Sequence, residues 1–426
     1  VGSEMCIRDR PTSEIVPIEN ATMTNRTVIQ WDKEDIESLG LLKIDILALG
    51  MLTAIHRCID LVKNNYSKDI SIQKIPKNDD ATYSMLCNAD SIGVFQVESR
   101  AQMTMLPRLK PRSFYDLVIE IAIVRPGPIQ GGMVHPYLRR RQGLEEVSYP
   151  DKKIKEVLEC TLGIPVFQEQ VIRLAMVAAG FSGGEADQLR RAMASWSNKY
   201  NSKNQLALFE EKLTEGMLKN GYNLNFAKNL FKQIQGFGVY GFPESHSASF
   251  ALLAYASAWL KCHYPAAFYC SLMNSQPMGF YSISQLTQDA KRHDIEVRPI
   301  DVNYSSWEHT LEKSSEYSLS RKYNFSIRLG FRIIKGLSKM DSLKIKNCNQ
   351  KFEDIDDFHN KTNLSKAKLS LLSSAGALDS INKDRRITQW HSLSLKKDQL
   401  SLCNKTDEVN LPSLNLIDKM WGDYDL

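Results

Sequence analysis

The sequence predicts a mainly α-helical protein with a small α/β segment near its start. Residues 81–273 carry apolar side chains at helical spacing, interrupted by short stretches rich in proline and glycine. Before them, Leu42–Leu47 alternates apolar and polar residues, and apolar residues recur at helical spacing from Leu52 to Val62. This order predicts a strand, a tight turn at Gly50 and a helix.

The segments after residue 273 are less regular. Residues 274–316 indicate a connector with a short strand near Glu296–Arg298. Arg328–Leu337 and Phe352–Asp379 indicate a second, basic helical unit. The residues after Ile381 are rich in Ser, Asn and Lys, which predicts a linker.

Both ends of the sequence suggest a fragment of a longer gene product. Residues 1–10 have no apolar periodicity and resemble translated sequencing-adapter read-through, so we exclude them from the fold prediction. The far end stops at Trp421–Leu426 without a capping residue or a tail.

The composition is that of an ordinary globular protein. Of the 426 residues, 43% are hydrophobic and 24% charged, which excludes a wholly disordered or collagen-like chain and allows about three domains. The net charge of +5 permits a polyanionic partner without requiring one. The most apolar run, Ala248–Leu260, is shorter than the ~20 residues that span a bilayer, so no membrane partner is expected.

Cysteine usage favours a reducing compartment over a disulfide scaffold. The 8 cysteines are scattered and include no C-x-x-C pair. The nearest approach to a metal-binding signature is Cys262 and His263 with Cys270, inside an apolar helical stretch. Burial in a helical core is the favoured interpretation of these three residues.

Lys43 and Asp45 are the first candidates for chemistry. They are two positions apart on the predicted strand and therefore share a face. One interpretation is an ion pair or helix cap, and the other is a metal ligand beside a cation that contacts phosphate. Two-metal phosphoryl transfer needs several convergent carboxylates, of which Asp45 supplies one.

Further cations lie in the helical region and each has two interpretations. Arg190 and Arg191 follow a capping box at Ser182–Glu185, and they either complement the helix dipole or clamp phosphates. His246 lies where a glycine-rich turn enters a helix, as a cap or as a contact to an anion. Arg125 either marks a helix stop or reaches phosphates.

Two basic segments indicate contact with a nucleic-acid backbone. Arg139, Arg140 and Arg141 form either a solvated face or a track along duplex phosphates. Ile334–Ser338, which includes Lys335 and Gly336, resembles a helix-hairpin-helix turn with serine in place of the second glycine. By contrast, Asp354 and Asp356 are interpreted as a solvated helix start.

Six blocks of the sequence resemble the palm end and fingers of the bacterial C-family DNA polymerases. They run in order over most of residues 15–380. The blocks are GLLKIDILALGMLTAI (40–55), SIGVFQVESR (91–100), IVRPGPIQGGMVHPYLRRRQG (123–143), VFQEQVIRLA (166–175), ADQLRRAMA (186–194) and GFPESHSASFALLAYASAWLKCHYP (241–265). Pro243-Glu244, the run His135–Arg141 and Leu272–Phe280 resemble the error-prone, damage-tolerant branch of the family.

The resemblance implies a division into domains and roles for single residues. The implied segments are the palm end (11–62), the fingers (63–273), a connector (274–327), a helix-hairpin-helix module (328–380) and a linker (381–426). Asp45 would be the third catalytic aspartate and a metal ligand, with Lys43 beside it. The other two aspartates belong to an upstream D-x-D motif that this chain lacks, as it lacks the family's N-terminal metallohydrolase-like domain, so the chain alone is expected to be inactive.

The same resemblance implies the contacts with substrate. Arg190, Arg191 and Arg125 would hold the triphosphate, and His246 would border the sugar. Gln96, Ser99 and Arg100 lie in an active-site block without an individual role.

The implied activity is addition of deoxynucleoside triphosphates to a primer 3′ end on template DNA, with Mg²⁺ as cofactor. The implied partners are a sliding clamp and accessory mutagenesis proteins, in a cytoplasmic, nucleoid-associated setting. Two alternatives stay open. One is the accurate replicative subunit of the same family, and the other is a DNA-binding piece without catalysis.

Overall fold

The computed structural model describes residues 3–5, 11–22, 26–31, 35, 39, 44–46, 48–124, 134–194, 202–237, 243–314, 324–348 and 350–394. At some of these positions only the backbone is described, among them Asp45, Arg190 and Arg191. Lys43 and Arg125 lie outside the described residues.

The described part of the chain is mainly helical, which confirms the predicted fold class. None of its helices is long and apolar enough to cross a membrane. The helices are α1 (Leu49–Tyr66), α2 (Asp80–Cys87), α3 (Arg100–Leu109), α4 (Phe114–Ile123), α5 (Val134–Arg141), α6 (Lys152–Leu158), α7 (Gln168–Ala179), α8 (Gly183–Ala194), α9 (Ser202–Lys219), α10 (Leu224–Phe237), α11 (Glu244–His263), α12 (Pro265–Asn274), α13 (Ile283–Arg292), α14 (Lys339–Asn347), α15 (Ile355–Thr362), α16 (Lys366–Ser374) and α17 (Arg385–Ser394).

The strands form small sheets. They are β1 (Ser3–Met5), β2 (Ile18–Asn20), β3 (Thr27–Ile29), β4 (Ile44–Ile46), β5 (Val297–Arg298), β6 (Thr310–Lys313) and β7 (Phe325–Arg328). β1 pairs antiparallel with β4, and β2 pairs antiparallel with β3. In the third sheet β7 lies between β5, to which it is parallel, and β6, to which it is antiparallel. The strand near Glu296–Arg298 is confirmed, and β1 falls within the ten residues excluded from the prediction.

The main core is built around α4, α11 and α12, whose side chains are mostly apolar. Every residue of α12 is buried, as is every residue of α4 from Asp116 to Ile123. A helix that is apolar all round must be surrounded by other elements. Accordingly, α11 packs against α4, α1, α2 and α12, and α12 also packs against α1 and α13.

A second group of helices surrounds α7. It packs against α6, α8 and α9, and α9 continues to α10. The predicted capping box at the start of α8 is present: the Ser182 backbone N–H donates to Glu185 Oε2 at 2.8 Å, and the Glu185 N–H donates to Ser182 Oγ at 3.4 Å.

The C-terminal unit has its own core, centred on the fully buried Phe331 and Phe358. Its junction with the main core is polar. The His309 N–H donates to Asn274 Oδ1 at 2.8 Å, and Asn274 Nδ2 donates back to the His309 carbonyl at 2.9 Å. Arg57 of α1 and Arg332 of the C-terminal unit both donate to the Asn274 carbonyl at the end of α12.

The C-terminal unit differs from the prediction in two places. Arg328–Leu337, predicted as helical, is the end of β7 followed by a single 3₁₀ turn at Phe331–Ile333, because Arg328 pairs within the sheet and the backbone is extended at both Gly330 and Ile334. The linker predicted after Ile381 contains α17, which packs against α16 and α15. The domain boundaries themselves stay a prediction.

Gly216 allows α9 to approach α7 closely. A Cβ atom at Gly216 would lie 2.2 Å from the Ala179 carbonyl oxygen, whereas a Cβ at Gly184 of α8 would meet nothing within 4 Å. We expect Gly216→Ala to lower the free energy of unfolding by about 1–3 kcal/mol, because the two helix backbones must separate.

The matched variant Gly184→Ala is expected to be neutral or to stabilise by up to ~1 kcal/mol, since alanine is the better helix former. Urea unfolding followed by circular dichroism measures both. Equal effects of the two substitutions would contradict the close approach.

Candidate functional site

The strand that carries Asp45 leads directly into the core. Asp45 is the middle residue of β4 and is the register partner of Glu4 on β1. Ala48 follows with a φ of +61°, and α1 begins at the next residue. α1 is fixed to the core by Arg57, whose Nη1 donates to the Asn274 carbonyl at 2.7 Å and pairs with Glu308 at 3.2 Å. The predicted strand and helix are therefore present, but the turn lies at Ala48 and not at Gly50, which is the second residue of α1.

The loop between α2 and α3 is folded tightly on itself. Ala89, Gly93 and Gln96 have positive φ angles of 57°, 76° and 62°. The Ser91 hydroxyl donates to the Val97 carbonyl at 2.6 Å across the loop. We call residues 89–98 the central loop, because α11 contacts it in the middle of the main core.

Gln96, Ser99 and Arg100, which lie in this loop or directly after it, have different surroundings in the structure. Ser99 caps α3, forming a capping box with Gln102, so it has a structural role. Gln96 holds a left-handed turn, and Arg100 is exposed on the first turn of α3.

Lys261 fastens the central loop to α11 and α13. This lysine of α11 is 1% exposed, and its Nζ lies 2.7 Å from Asp90 Oδ1, 3.1 Å from the Ile92 carbonyl and 3.5 Å from Asp289 Oδ2. On the other side, His293 Nε2 lies 2.6 Å from Asp90 Oδ2, and the Tyr269 hydroxyl donates to Asp289 at 2.5 Å. The buried ammonium, the buried Asp289 carboxylate and the half-buried Asp90 carboxylate therefore form one network.

The network shifts the titration of its members. Burial would raise the pKa of Asp90, but the hydrogen bonds from His293 and Lys261 outweigh it and lower that pKa to about 2. The hydrogen bond to Asp90 raises the pKa of His293 despite its burial. Sequence reasoning missed this network, although a lysine closing an apolar run was a signal for it.

His246 lies in the first turn of α11 beside the central loop. Its ring centroid is 4.3 Å from that of Phe250, which is 5.3 Å from that of Phe95 in the loop. Glu244, the first residue of α11, accepts a hydrogen bond from the Tyr115 hydroxyl at 2.7 Å and donates its N–H to Glu169 at 3.0 Å. The start of α11 is thereby tied to both α4 and α7.

Arg190 and Arg191 lie in the last turn of α8. α8 packs against α7, and α7 contributes the Glu169 contact to the start of α11. A short turn joins α7 to α8, as in an αα-hairpin, in which the second helix returns along the first. We therefore expect the end of α8 to lie towards the start of α11.

Arg139, Arg140 and Arg141 have acidic partners within the protein. Arg140 Nε lies 2.9 Å from Glu145, and its Nη1 donates to the Leu162 carbonyl at 2.8 Å. Arg141 Nη2 lies 2.8 Å from Asp116, whose side chain is 7% exposed. Arg139 also pairs with Glu145, at 3.0 Å, but is 59% exposed. The structure thus gives Arg140 and Arg141 internal structural contacts and leaves Arg139 the most accessible of the three.

The hairpin turn of the C-terminal unit is exposed. Lys335 and Gly336 lie at its surface, and Ser338 caps α14 through a capping box with Asp341. Lys368 of α16 donates to the Gly336 carbonyl and lies 3.2 Å from Asp341, which holds the turn against the companion helix.

Asp354 caps the start of α15, accepting from the Asp357 N–H at 2.7 Å. Both Asp354 and Asp356 are exposed. The interpretation of this pair as a solvated helix start is therefore confirmed.

Glu120 of α4 is an unusual buried carboxyl group. It is fully buried, and neither of its side-chain oxygens has a hydrogen-bond partner in the described structure. Burial raises its pKa well above the ordinary value. The helix that carries it leads towards Arg125.

Three family models match the chain. The model described as bacterial DNA polymerase III alpha subunit finger domain matches residues 51–221. The model described as bacterial DNA polymerase III alpha NTPase domain matches residues 3–48, and a helix-hairpin-helix motif matches residues 294–388.

The chain is also similar to proteins named error-prone DNA polymerase. It is 59% identical to the one from Teredinibacter turnerae over 93% of this chain and 38% of that protein. It is 55% identical to the one from Saccharophagus degradans, over 100% of this chain and 41% of that protein. It is 54% identical to the one from Methylococcus capsulatus, over 90% of this chain and 38% of that protein. The chain therefore spans about two fifths of the length of these relatives.

The Lys261 network should contribute strongly to stability. We expect Lys261→Met to lower the free energy of unfolding by about 3–5 kcal/mol, because it leaves the buried Asp289 carboxylate without its cation and removes the ion pair with the half-buried Asp90. Lys74→Met removes a pair whose side chains are 61% and 71% exposed, and should change stability by less than ~1 kcal/mol. Denaturant unfolding compares the two, and a small effect at Lys261 would show that the network is not essential to the fold.

Glu120 should make stability depend on pH. Its native pKa lies above its unfolded pKa, so the native state binds more protons between these values and stability falls as pH rises through that range. Glu120→Gln removes this loss, and its stabilising effect should grow from pH 5 to pH 8 by up to about 1.4 kcal/mol per pH unit. Urea unfolding at several pH values measures the difference, and a difference independent of pH would contradict the buried, protonated carboxyl.

Proposed function

Because the chain belongs to the family of bacterial DNA polymerase III alpha subunits, we propose that it acts in template-directed, error-prone DNA synthesis. The reaction joins a deoxynucleoside triphosphate to the 3′ oxygen of a primer and releases pyrophosphate. The printed names of the relatives support the error-prone assignment over the replicative alternative.

The observation that carries this proposal is the packing of α1 against α11 and α12. α1 follows the strand with Asp45, and α11 begins beside His246 and the central loop. One packed body thus joins the strand that would hold metal to the helix that would border the nucleotide.

The phosphate contacts are proposed for three arginines. Arg190 and Arg191 would hold the triphosphate, since the guanidinium group is planar, permanently charged and matched to phosphate oxygens. Arg125, which follows α4, would complete this set. Holding the phosphates rigidly would favour in-line attack by the primer oxygen. His246 would border the sugar, in a position fixed by the ties of Glu244 to α4 and α7.

Asp45 fits the chemistry of a Mg²⁺ ligand. Mg²⁺ prefers oxygen donors, and Asp45 would supply a carboxylate oxygen from a strand that leads into a helix of the core. Two-metal catalysis needs further carboxylates, so Asp45 would be one member of a larger set. When bound, the metal would neutralise the triphosphate and favour ionisation of the primer hydroxyl. Lys43 would add positive charge beside it.

Duplex DNA would also be bound at surfaces other than the one that carries the reacting groups. The exposed turn at Lys335 and Gly336 would offer an ammonium and backbone N–H groups to phosphates without reading sequence. Arg139 would add a contact, with smaller roles for Arg140 and Arg141, whose guanidinium groups are engaged inside the protein. A sliding clamp, accessory mutagenesis proteins and a cytoplasmic, nucleoid-associated location complete the proposal.

Primer extension tests the catalytic assignment. The complete reading frame, cloned with its flanking DNA, should extend a mismatched primer, and Asp45→Asn should lower turnover at least ~100-fold, because the metal loses a fixed ligand. The control is Asp356→Asn, at an exposed helix start, which should extend normally.

Binding to duplex DNA separates catalysis from binding alone. Asp45→Asn should bind duplex DNA as the parent does. Extension that survives Asp45→Asn would overturn the assignment of the strand, and accurate extension would favour the replicative alternative.

A further inference from the structure

Asp79, Cys262 and His263 come together where α11 ends and α2 begins. One potential ligand atom from each lies within 4.8 Å of the other two, and His263 Nε2 is 2.9 Å from Asp79 Oδ2. His263 is exposed, and the other two residues are half-buried, so the cluster can be reached from solvent. Cys262 and His263 were the nearest approach to a metal signature in the sequence, but the third residue is Asp79, since Cys270 is fully buried and donates to the His309 carbonyl.

The position of Asp79 is fixed before any ligand binds. Its Oδ2 atom accepts hydrogen bonds from the Thr82 N–H at 2.8 Å and the Thr82 hydroxyl at 2.6 Å, which caps α2. The Asp79 backbone N–H donates to the Tyr255 hydroxyl of α11 at 3.1 Å, and that hydroxyl donates to the Pro76 carbonyl at 2.5 Å. The segment before α2 is therefore held against the helix that carries Cys262 and His263.

Among the described residues no lysine or arginine pairs with the Asp79 carboxylate. The hydrogen bonds that it receives from Thr82 and His263 go to its Oδ2 atom.

In a second cluster of carboxylates and histidine in the described structure, a lysine of the protein already balances the negative charge. Asp90, Asp289 and His293 also place ligand atoms within 4.8 Å of one another. There the Lys261 ammonium lies between the carboxylates, 2.7 Å from Asp90 and 3.5 Å from Asp289. The position that a metal would take is filled there by a lysine of the protein itself, whereas no lysine or arginine of the described residues pairs with the Asp79 cluster.

We propose that Asp79, Cys262 and His263 bind a divalent cation of the zinc class. One thiolate, one imidazole and one carboxylate are ligands that Zn²⁺ accepts, and three protein ligands leave a fourth tetrahedral position for water. On binding, the Cys262 thiol releases its proton to solvent as the sulfur–metal bond forms, and His263 Nε2 exchanges its hydrogen bond with Asp79 for the metal. The ion would link the start of α2 to the end of α11.

Cobalt titration of the metal-free 426-residue chain tests this site. Co²⁺ takes the same ligands as Zn²⁺ and gives a thiolate-to-metal absorption band only when a cysteine sulfur is bound. We expect that band in the parent protein, its loss on adding zinc, and its absence in Cys262→Ser. His263→Gln should weaken cobalt binding by more than ~10-fold, because losing even an outer-sphere partner weakens a metal site by about 10–100-fold.

Two further variants separate metal binding from folding. Cys160→Ser changes an exposed cysteine away from the cluster and should bind cobalt as the parent does. Asp79→Asn keeps a good helix cap while weakening the ligand, so it should lower affinity without loss of helix content. Saturating zinc should raise the Tm of the parent by at least about 2 °C and leave that of Cys262→Ser unchanged.

Two results would overturn the proposal. The first is a parent protein without a thiolate band, and the second is a band that persists in Cys262→Ser. Either would mean that Asp79 and His263 form only an ion pair. Because the readout is spectroscopic and uses no DNA, the result is independent of the proposed polymerase activity.

Discussion

A buried ammonium is tolerated in a protein core only when carboxylates and carbonyls replace the water it has lost. Lys261 meets this requirement with Asp90, Asp289 and the Ile92 carbonyl, which belong to different parts of the chain. Asp90 and Ile92 belong to the central loop, and Asp289 to α13. The loop, α11 and α13 therefore cannot be repositioned separately without leaving a charge unpaired. The aromatic contacts of the loop with Phe250, and through it the surroundings of His246, depend on the same constraint.

The helices could be predicted because their signals are local. Apolar spacing gave α1 and the helices of residues 81–273, and the Ser182–Glu185 spacing gave the start of α8. The turn at Gly336 was recognisable because glycine adopts a positive φ easily. The helix α17 was missed, since its composition is polar and its packing against α16 is visible only in the folded chain.

The polar networks could not be predicted because their partners are far apart in sequence. Asp90 and Lys261 are separated by 171 positions, and Asp79 and His263 by 184. Arg140 and Arg141 looked like a basic surface run, but the fold places Glu145 and Asp116 against them. The candidate nucleotide site was named by family resemblance, and the fold adds the ties from Glu244 to Tyr115 and Glu169 that fix the start of α11.

The carbonyl of Asn274 receives guanidinium groups from two directions, Arg57 of α1 and Arg332 of the C-terminal unit. Arg332 also donates to the Gln276 carbonyl at 3.0 Å. α1 follows the strand of Asp45, and the C-terminal unit carries the exposed turn at Lys335. The end of α12 thus fixes α1 and the C-terminal unit relative to each other. With duplex DNA bound at the turn, as proposed above, the primer end would lie at a constant distance from the strand of Asp45, whatever the DNA sequence.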